Sequence, residues 1–572
     1  MSLELLAAAV ILLLAAGYVL YGRFVAGQYN LDPAAETPAV QKNDGVDFVP
    51  TRPFYLLGQH FSAIAAAGPI VGPIAACLVF GWGPCLIWIV LGVILIGAVH
   101  DFSALVASVR HGAHSVAEIT RANISHRAWL VLVAFIWIAL VYVIVAFTDV
   151  TAETFLGQAE ELEGNFAFNK GGAVAAASTM YLLLALLMGW IQKRWNPSMT
   201  LMTLVFVPAT LGVVWLGTKV SNVLVFDIGA WRLAILAYCF AASLLPLWLL
   251  QQSRGYLGGF VLYLALGAGI AGIFFGGFDI RQPAFKSPAG SGFQELLFPF
   301  LFVTIACGAC SGFHGLVCGG TTSKQIARET DCKPVGFGAM LLEGFVAVIA
   351  LATIMIVAPS DIAGRGPGKL YGDGIASFLT VFLGKEAFLF AATFGAMAFS
   401  TFVFDTLDVA TRLGRYLLQE LTGSTSRRSA LLATAATAGA PLAVLFSGGQ
   451  GAWRKFWVLF GTSNQLLACF TLMVVTVWLY RTGRRYWFTL LPMLFVLAVT
   501  VSALVIQAGA GVSHVRKDGF EFEPAVLNGI VAAGMLALAA MFIYESVRAV
   551  IRARNQPMKP PPGASYRLQQ VG

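Results

Sequence analysis

The chain has 572 residues, of which 58% are hydrophobic and 11% charged, and it carries a formal charge of +8. No soluble core needs that much apolar surface, and apolar runs recur from Leu3 to Val550, so a soluble enzyme is excluded and the chain is expected to lie almost wholly within a bilayer. The basic residues sit in short connections between apolar runs, the pattern of topology signals rather than of nucleic-acid binding.

The first run, Leu3 to Leu20, has no basic residue ahead of it and no small-residue cleavage site before a polar mature domain, so it reads as a span and not a signal peptide. Gly27 to Thr51 follows as a polar cytoplasmic connection, too short for a separate domain. Spans are expected near 3–21, 58–80, 84–109, 128–147, 173–191, 200–217, 231–250, 255–276, 296–318, 335–358, 387–411, 430–447, 456–480, 486–508 and 526–549, about fifteen in all. The fold class is therefore an all-α polytopic membrane protein. With the N-terminus outside, 24 of the 36 Lys and Arg fall on the cytoplasmic side, among them Arg254, Lys324 and Arg328, while the external loop Asp149 to Lys170 carries Glu153, Glu160, Glu161 and Glu163. The tail from Pro557 is Pro-rich, then polar, and is expected to be disordered.

Two spans carry the composition of interrupted helices. Residues His60 to Phe80 read HFSAIAAAGPIVGPIAACLVF, in which Pro69 and Pro73 lack an N–H beside Gly68 and Gly72. Residues Leu297 to Gly320 pack Gly308, Ser311, Gly312 and Gly315 into eight positions. These spans are seven crossings apart and so run in opposite directions, each opening a five-helix unit. That is the layout of an inverted repeat with a site where two broken helices meet. The expected organisation is a first helix and connection over 1–57, a five-helix repeat over 58–217, two linking helices over 218–295, a second repeat over 296–481, two C-terminal helices over 482–549 and a cytoplasmic tail over 550–572.

Several long stretches carry a resemblance. HFSAIAAAGPIVGPIAA, GWGPCLIWIVLGVILIGAVHDF, CFAASLLPLWLLQQSRGYL, LFPFLFVTIACGACSGFHGLVCGGTTSKQIARETD, FDTLDVATRLGRYLLQEL and FGTSNQLLACFTLMVVT resemble the carbon starvation protein CstA family, over nearly the whole chain from about Tyr55 to about Thr500. The resemblance implies a multi-pass protein of the bacterial cytoplasmic membrane that transports peptides or pyruvate, induced when carbon is scarce and in at least some members proton-coupled. It leaves the solute open; a relation to the LeuT-like five-plus-five fold would agree with the inverted-repeat layout.

Ionisable residues inside spans are costly, so each is informative. His100 and Asp101 lie deep in the third span, His314 just past the second break, Glu343 in the tenth span, and Asp405 and Asp408 near the cytoplasmic end of the eleventh. Asp101 and His314 are the leading candidates for a proton carrier, with Glu343 and Asp405 next. Asp408 has Arg412 one turn on and is expected to be satisfied by it as a structural ion pair. Exposed N–H groups of unwound helix suit a carboxylate, so Gly68, Ile70, Gly72, Ser311, Gly312 and His314 are the candidate substrate contacts.

The CGAC at Cys307 to Cys310 has a redox or metal spacing, but without a second pair it reads as a source of small side chains. His111, His114 and Glu118 could hold zinc if helical, but a solvated loop end is the preferred reading. There is no nucleotide-binding fingerprint or phosphate-cradling loop, so no cofactor is expected and ATP-driven transport is disfavoured. The expected partners are a small-molecule solute (pyruvate or peptide), a proton and the lipid bilayer, without nucleic acid. A membrane enzyme would need clustered catalytic groups and a nutrient sensor a sizeable output domain; neither is legible, and a channel would lack coupled accumulation.

Overall fold

The computed structural model describes residues 2–45, 47–162, 166–286, 295–424, 426–446, 451–519 and 523–555. The tail from Pro557, expected to be disordered, and Glu163 lie outside the described residues. The chain opens with α1 (Leu3–Tyr29), then a bent pair, α2 (Pro53–Ile64) and α3 (Gly68–Phe80), and then α4 (Trp82–Arg110), the short α5 (Val116–Asn123) and α6 (His126–Phe155). A two-stranded hairpin, β1 (Ala159–Leu162) and β2 (Phe166–Asn169), links α6 to α7 (Lys170–Trp195), and α8 (Met199–Lys219), α9 (Ile228–Leu244) and α10 (Gln251–Phe275) follow. The second half contains the half-helices α11 (Leu297–Thr304) and α12 (Gly312–Gly320), then α13 (Glu329–Met355), α14 (Pro367–Leu383) and α15 (Phe388–Thr422). It ends with α16 (Arg427–Phe446), α17 (Trp453–Arg481), α18 (Trp487–Lys517) and α19 (Pro524–Arg554).

Among the described residues, twelve helices are long and apolar enough to cross a bilayer, and thirteen if the α2–α3 pair, bent by 47°, is one span. At 17 residues α9 falls short of that length, as do the halves α11 and α12. A helix or a broken pair occupies every stretch read as an apolar run. The addition is α14, a 17-residue helix between two expected spans whose Lys369 and Asp373 interrupt the apolar pattern. It turns back through Gly384, at φ +81°, and packs antiparallel to α15, with Gly372 and Gly395 letting the two backbones close.

Burial sorts the helices. α17 is covered along its whole length and α13 nearly so, whereas α1, α8, α16 and α19 keep most of their apolar surface outward. A helix that is apolar all round and buried on every side is a core element, and one with an uncovered apolar face meets lipid. The centre of the molecule is thus α13 and α17, with α4 and the two broken helices packed around them.

Candidate functional site

The first break is three residues long. α2 ends at Ile64, Ala65 leaves the helical region with ψ +62°, and α3 restarts at Gly68 with Pro69 in its first turn, where a missing N–H costs nothing. The second break is longer, from Ile305 to Cys310, with Ser311 as the non-helical residue ahead of α12. Its backbone groups need partners inside an apolar protein, and side chains from neighbouring helices supply them. Trp88 Nε1 donates to the Ile305 carbonyl at 3.2 Å, Trp457 Nε1 to Thr304 at 3.1 Å and Gln465 Nε2 to Phe302 at 2.9 Å. Asn464 spans the gap: its Oδ1 accepts from the Phe313 N–H at 3.0 Å and its Nδ2 donates to Ser311 Oγ at 3.0 Å and to Cys307 Sγ at 3.2 Å.

The two breaks touch. A Cβ on Gly68 would overlap the Cys307 side chain, and one on Gly72 would lie 2.7 Å from the Thr304 carbonyl oxygen. Gly312 is pressed just as closely against the α17 backbone at Asn464 and Ala468. Ile70 is fully buried in the same region. The six candidate substrate contacts therefore all lie at or beside the two breaks, and in this conformation the glycines among them face protein atoms.

Just to the cytoplasmic side of the second break runs a line of buried titratable groups. His100 Nδ1 lies 2.7 Å from Asp101 Oδ1, His314 Nδ1 2.8 Å from Asp101 Oδ2, and His314 Nε2 3.1 Å from Glu343 Oε2. All four side chains are buried, and no other donor reaches either Glu343 oxygen among the described residues. An imidazole between two carboxylates can donate at both nitrogens only as the cation, so one proton can reside on His314 or pass to Glu343 without the groups moving apart. α4 contributes two groups to that line and α12 and α13 one each, and Asp101, His314 and Glu343 come together from three distant parts of the sequence.

Asp405 belongs elsewhere. It accepts from Arg254 Nε at 2.8 Å on the α10–α15 seam, and Asp408 pairs with the same guanidinium while accepting from Tyr238 at 2.8 Å. Two expectations are corrected here. Asp408 is satisfied by Arg254 and Tyr238, not by Arg412, whose guanidinium donates to the carbonyls of Ala242 and Leu245 at 2.7 and 2.8 Å, near the end of α9. Arg254 is not a residue of a cytoplasmic connection but is fully buried in the first turn of α10. Glu118 is used in a capping box with Ser115, and His111 Nε2 faces Asn123 at 3.0 Å, so neither of these side chains is turned toward His114 as a joint ligand set. All eight cysteines are buried free thiols, Cys307 and Cys310 included.

Asn464, Gln465, Trp88 and Trp457 were not singled out from the sequence. Their one signal was the uncharged polar pair in FGTSNQLLACF, set in an otherwise apolar helix.

Comparisons with known proteins identify the family. Residues 1–364 and 359–503 match the model of the family described as carbon starvation protein CstA. A Helicobacter pylori protein named peptide transporter CstA is 30% identical over 562 residues, covering 86% of this chain and 80% of that protein. A Bacillus subtilis protein of the same name is 31% identical, covering 94% and 95%. An Escherichia coli protein named pyruvate/proton symporter BtsT is 30% identical, covering 90% and 83%. Among solved structures, a manganese transporter of Eremococcus coleocola aligns with 87% of this chain and 95% of its own at a TM-score of 0.45 and 13% identity. This multi-pass membrane protein belongs to the carbon starvation protein CstA family.

Proposed function

We propose that the chain is a secondary transporter that moves a small carboxylate-bearing solute, pyruvate or a peptide, together with a proton. The observation that carries the reading is the contact between two broken helices directly beside the buried Asp101–His314–Glu343 line. Relatives named for peptides and for pyruvate and protons supply the two solute classes and the coupling ion.

The chemistry follows from what a break exposes. Helix N-termini at Gly68 and Gly312 present N–H groups and the positive end of a dipole, which favour a carboxylate without a fixed cation. Gly68, Ile70, Gly72, Ser311, Gly312 and His314 form the proposed solute contacts, exposed when α2–α3 and α11–α12 part. Those helices open units 58–217 and 296–481, which we read as inverted repeats that rock about the site. Protonation of the His314–Glu343 pair removes a negative charge next to the arriving carboxylate, and that electrostatic gain couples the two movements.

Uptake of labelled pyruvate and dipeptides into proteoliposomes, with and without an inward proton gradient, tests the reading. Saturable accumulation that collapses with the gradient supports it. Passive equilibration that neither saturates nor responds to the gradient would point to a channel and sink it.

A further inference from the structure

Three of the seven histidines are buried at membrane depth, and only two of them touch Asp101. The third, His60, lies in α2, one turn before the first break, and is 1% exposed. Its Nδ1 is 2.8 Å from Thr322 Oγ1, in the turn where the chain leaves α12 for the cytoplasmic loop. Its Nε2 faces Cys318 Sγ at 4.0 Å, and that thiol in turn donates to the Asp101 carbonyl at 3.5 Å. Nothing in the packing of an apolar helix calls for an imidazole there; a phenyl or leucyl group would fill the space without a polar partner to satisfy.

The depths form a series. At 1.5 Å per residue, Glu343 lies about 20 Å along α13 from its cytoplasmic start, Asp101 about 13 Å along α4 from its cytoplasmic end, and His60 about 10 Å along α2 from its start. From the middle of the membrane the groups therefore run Glu343, His314, Asp101, then His60 across Cys318, then Thr322, two residues from Lys324 in the cytoplasmic loop.

We infer that His60 is the station through which the coupling proton passes between the Asp101–His314 pair and the cytoplasm. The inference rests on the proton-coupled reading above and extends it to a residue in the first half of the first broken helix. Cys318 is bonded to the Asp101 backbone carbonyl and not to its carboxylate, so the donor to His60 Nε2 is protonated Asp101 or His314 itself, brought within reach when the broken helices part. Neutral imidazole takes that proton at Nε2 and gives one up from Nδ1 to Thr322 Oγ1, ending in the opposite tautomer. Reorientation of the ring or return of a proton resets it. The groups in contact with His60 are Thr322 and Cys318 from the α12 end, and the charged groups whose fields reach it are Asp101 on α4 and His314 on α12. His100 lies beyond Asp101, against Gly315 and Thr471, and does not reach the cytoplasmic loop.

His60→Gln keeps a polar group for Thr322 but cannot relay a proton. In proteoliposomes the variant should exchange labelled pyruvate, or a labelled dipeptide, at close to the parental rate while proton-driven accumulation falls by roughly a hundredfold or more, the range lost when a positioned proton-transfer group is removed. Accumulation equal to the parent's, with Asp101→Asn impaired, would overturn the role of His60 and leave the transport reading intact. Equal accumulation by both variants would overturn both. Loss of exchange along with accumulation would make His60 structural and overturn the inference too. A second measurement needs no solute: the nitrogen-labelled imidazole signal that disappears in His60→Gln must respond to pH changed on the cytoplasmic face alone, and a signal insensitive to that face rejects the station.

Discussion

At Gly68 the neighbouring atoms decide what a substitution does. The obstacle to a Cβ is the Cys307 side chain, while at Gly72 it is the backbone of Thr304 and Ile305. Side chains can be cut back and backbone cannot. Gly68→Ala should cost about 1–3 kcal/mol by overpacking and reduce uptake, and adding Cys307→Gly should restore much of both. No single partner change should rescue Gly72→Ala. Thermal melts and uptake of the four variants check this, and rescue of Gly72→Ala by Cys307→Gly would show the breaks to be packed otherwise. At Arg254 the physics is electrostatic. Removing a buried guanidinium strands Asp405 and Asp408 in an apolar seam, so Arg254→Met should destabilise the protein by about 3–5 kcal/mol, with partial recovery when Asp408→Asn is added. Melting in detergent measures both, and a melting temperature unchanged by Arg254→Met would argue against the cluster. These residues also mark where sequence reasoning works. Asp101, His314 and Glu343 were legible because a charge inside an apolar run is expensive and needs a reason. Asn464 was not, because an uncharged amide raises no such alarm. The pairing of Asp408 with Arg412 failed because spacing along one helix cannot reveal that the α9 carbonyls claim Arg412 and that Arg254 arrives from another helix.

Whole elements were legible for the same compositional reason. Gly-Pro and Gly-Ser clusters disfavour a continuous helix whatever surrounds them, so both breaks could be read directly. α14 could not, because Lys369 and Asp373 interrupt its apolar run and are satisfied only by tertiary contacts such as the Asp373 pairs with Lys170 and Arg365. The connection after α1 also does more than its polarity announced. Glu36 pairs with Arg328 and Thr51 with Ile326 as isolated bridges, Thr37 Oγ1 donates to the Ile326 carbonyl, and the Asp32 N–H donates to Glu329, which Arg110 grips at 2.6 Å. The segment thus straps the loop that follows α12 to the cytoplasmic end of α4. Any inward opening that moves α12 has to loosen this strap. Cysteines at Glu36 and Arg328, oxidised to a disulfide, should slow uptake by roughly tenfold, and reductant should restore it. Unchanged uptake by the fully crosslinked protein would mean that the strap stays closed throughout transport.

For the molecule as a whole, the orientation in the membrane sets what inside and outside mean for every site above. Basic residues resist translocation, and with buried Arg254 set aside 23 of the 36 Lys and Arg still fall on one side when the N-terminus is outside. The fold keeps these groups together: Arg110 and Arg484 both donate to the Tyr29 carbonyl and Arg481 to that of Asn123, so the ends of α1, α4, α5 and α17 share one face with the strap. At the opposite ends of the helices, Asp149 holds Arg232 and the Trp453 N–H, and the β1–β2 hairpin follows α6 there. The eight native thiols are all buried and should give little background to a membrane-impermeant maleimide. A cysteine replacing Glu160, in that hairpin, should therefore label in intact cells, while one replacing Arg328, whose side chain is 65% exposed, should label only after the membrane is opened. If position 328 labels in intact cells and position 160 does not, the molecule sits the other way up. The His60 station would then face the outside, and the proton line from Glu343 would describe entry where it is now assigned to exit.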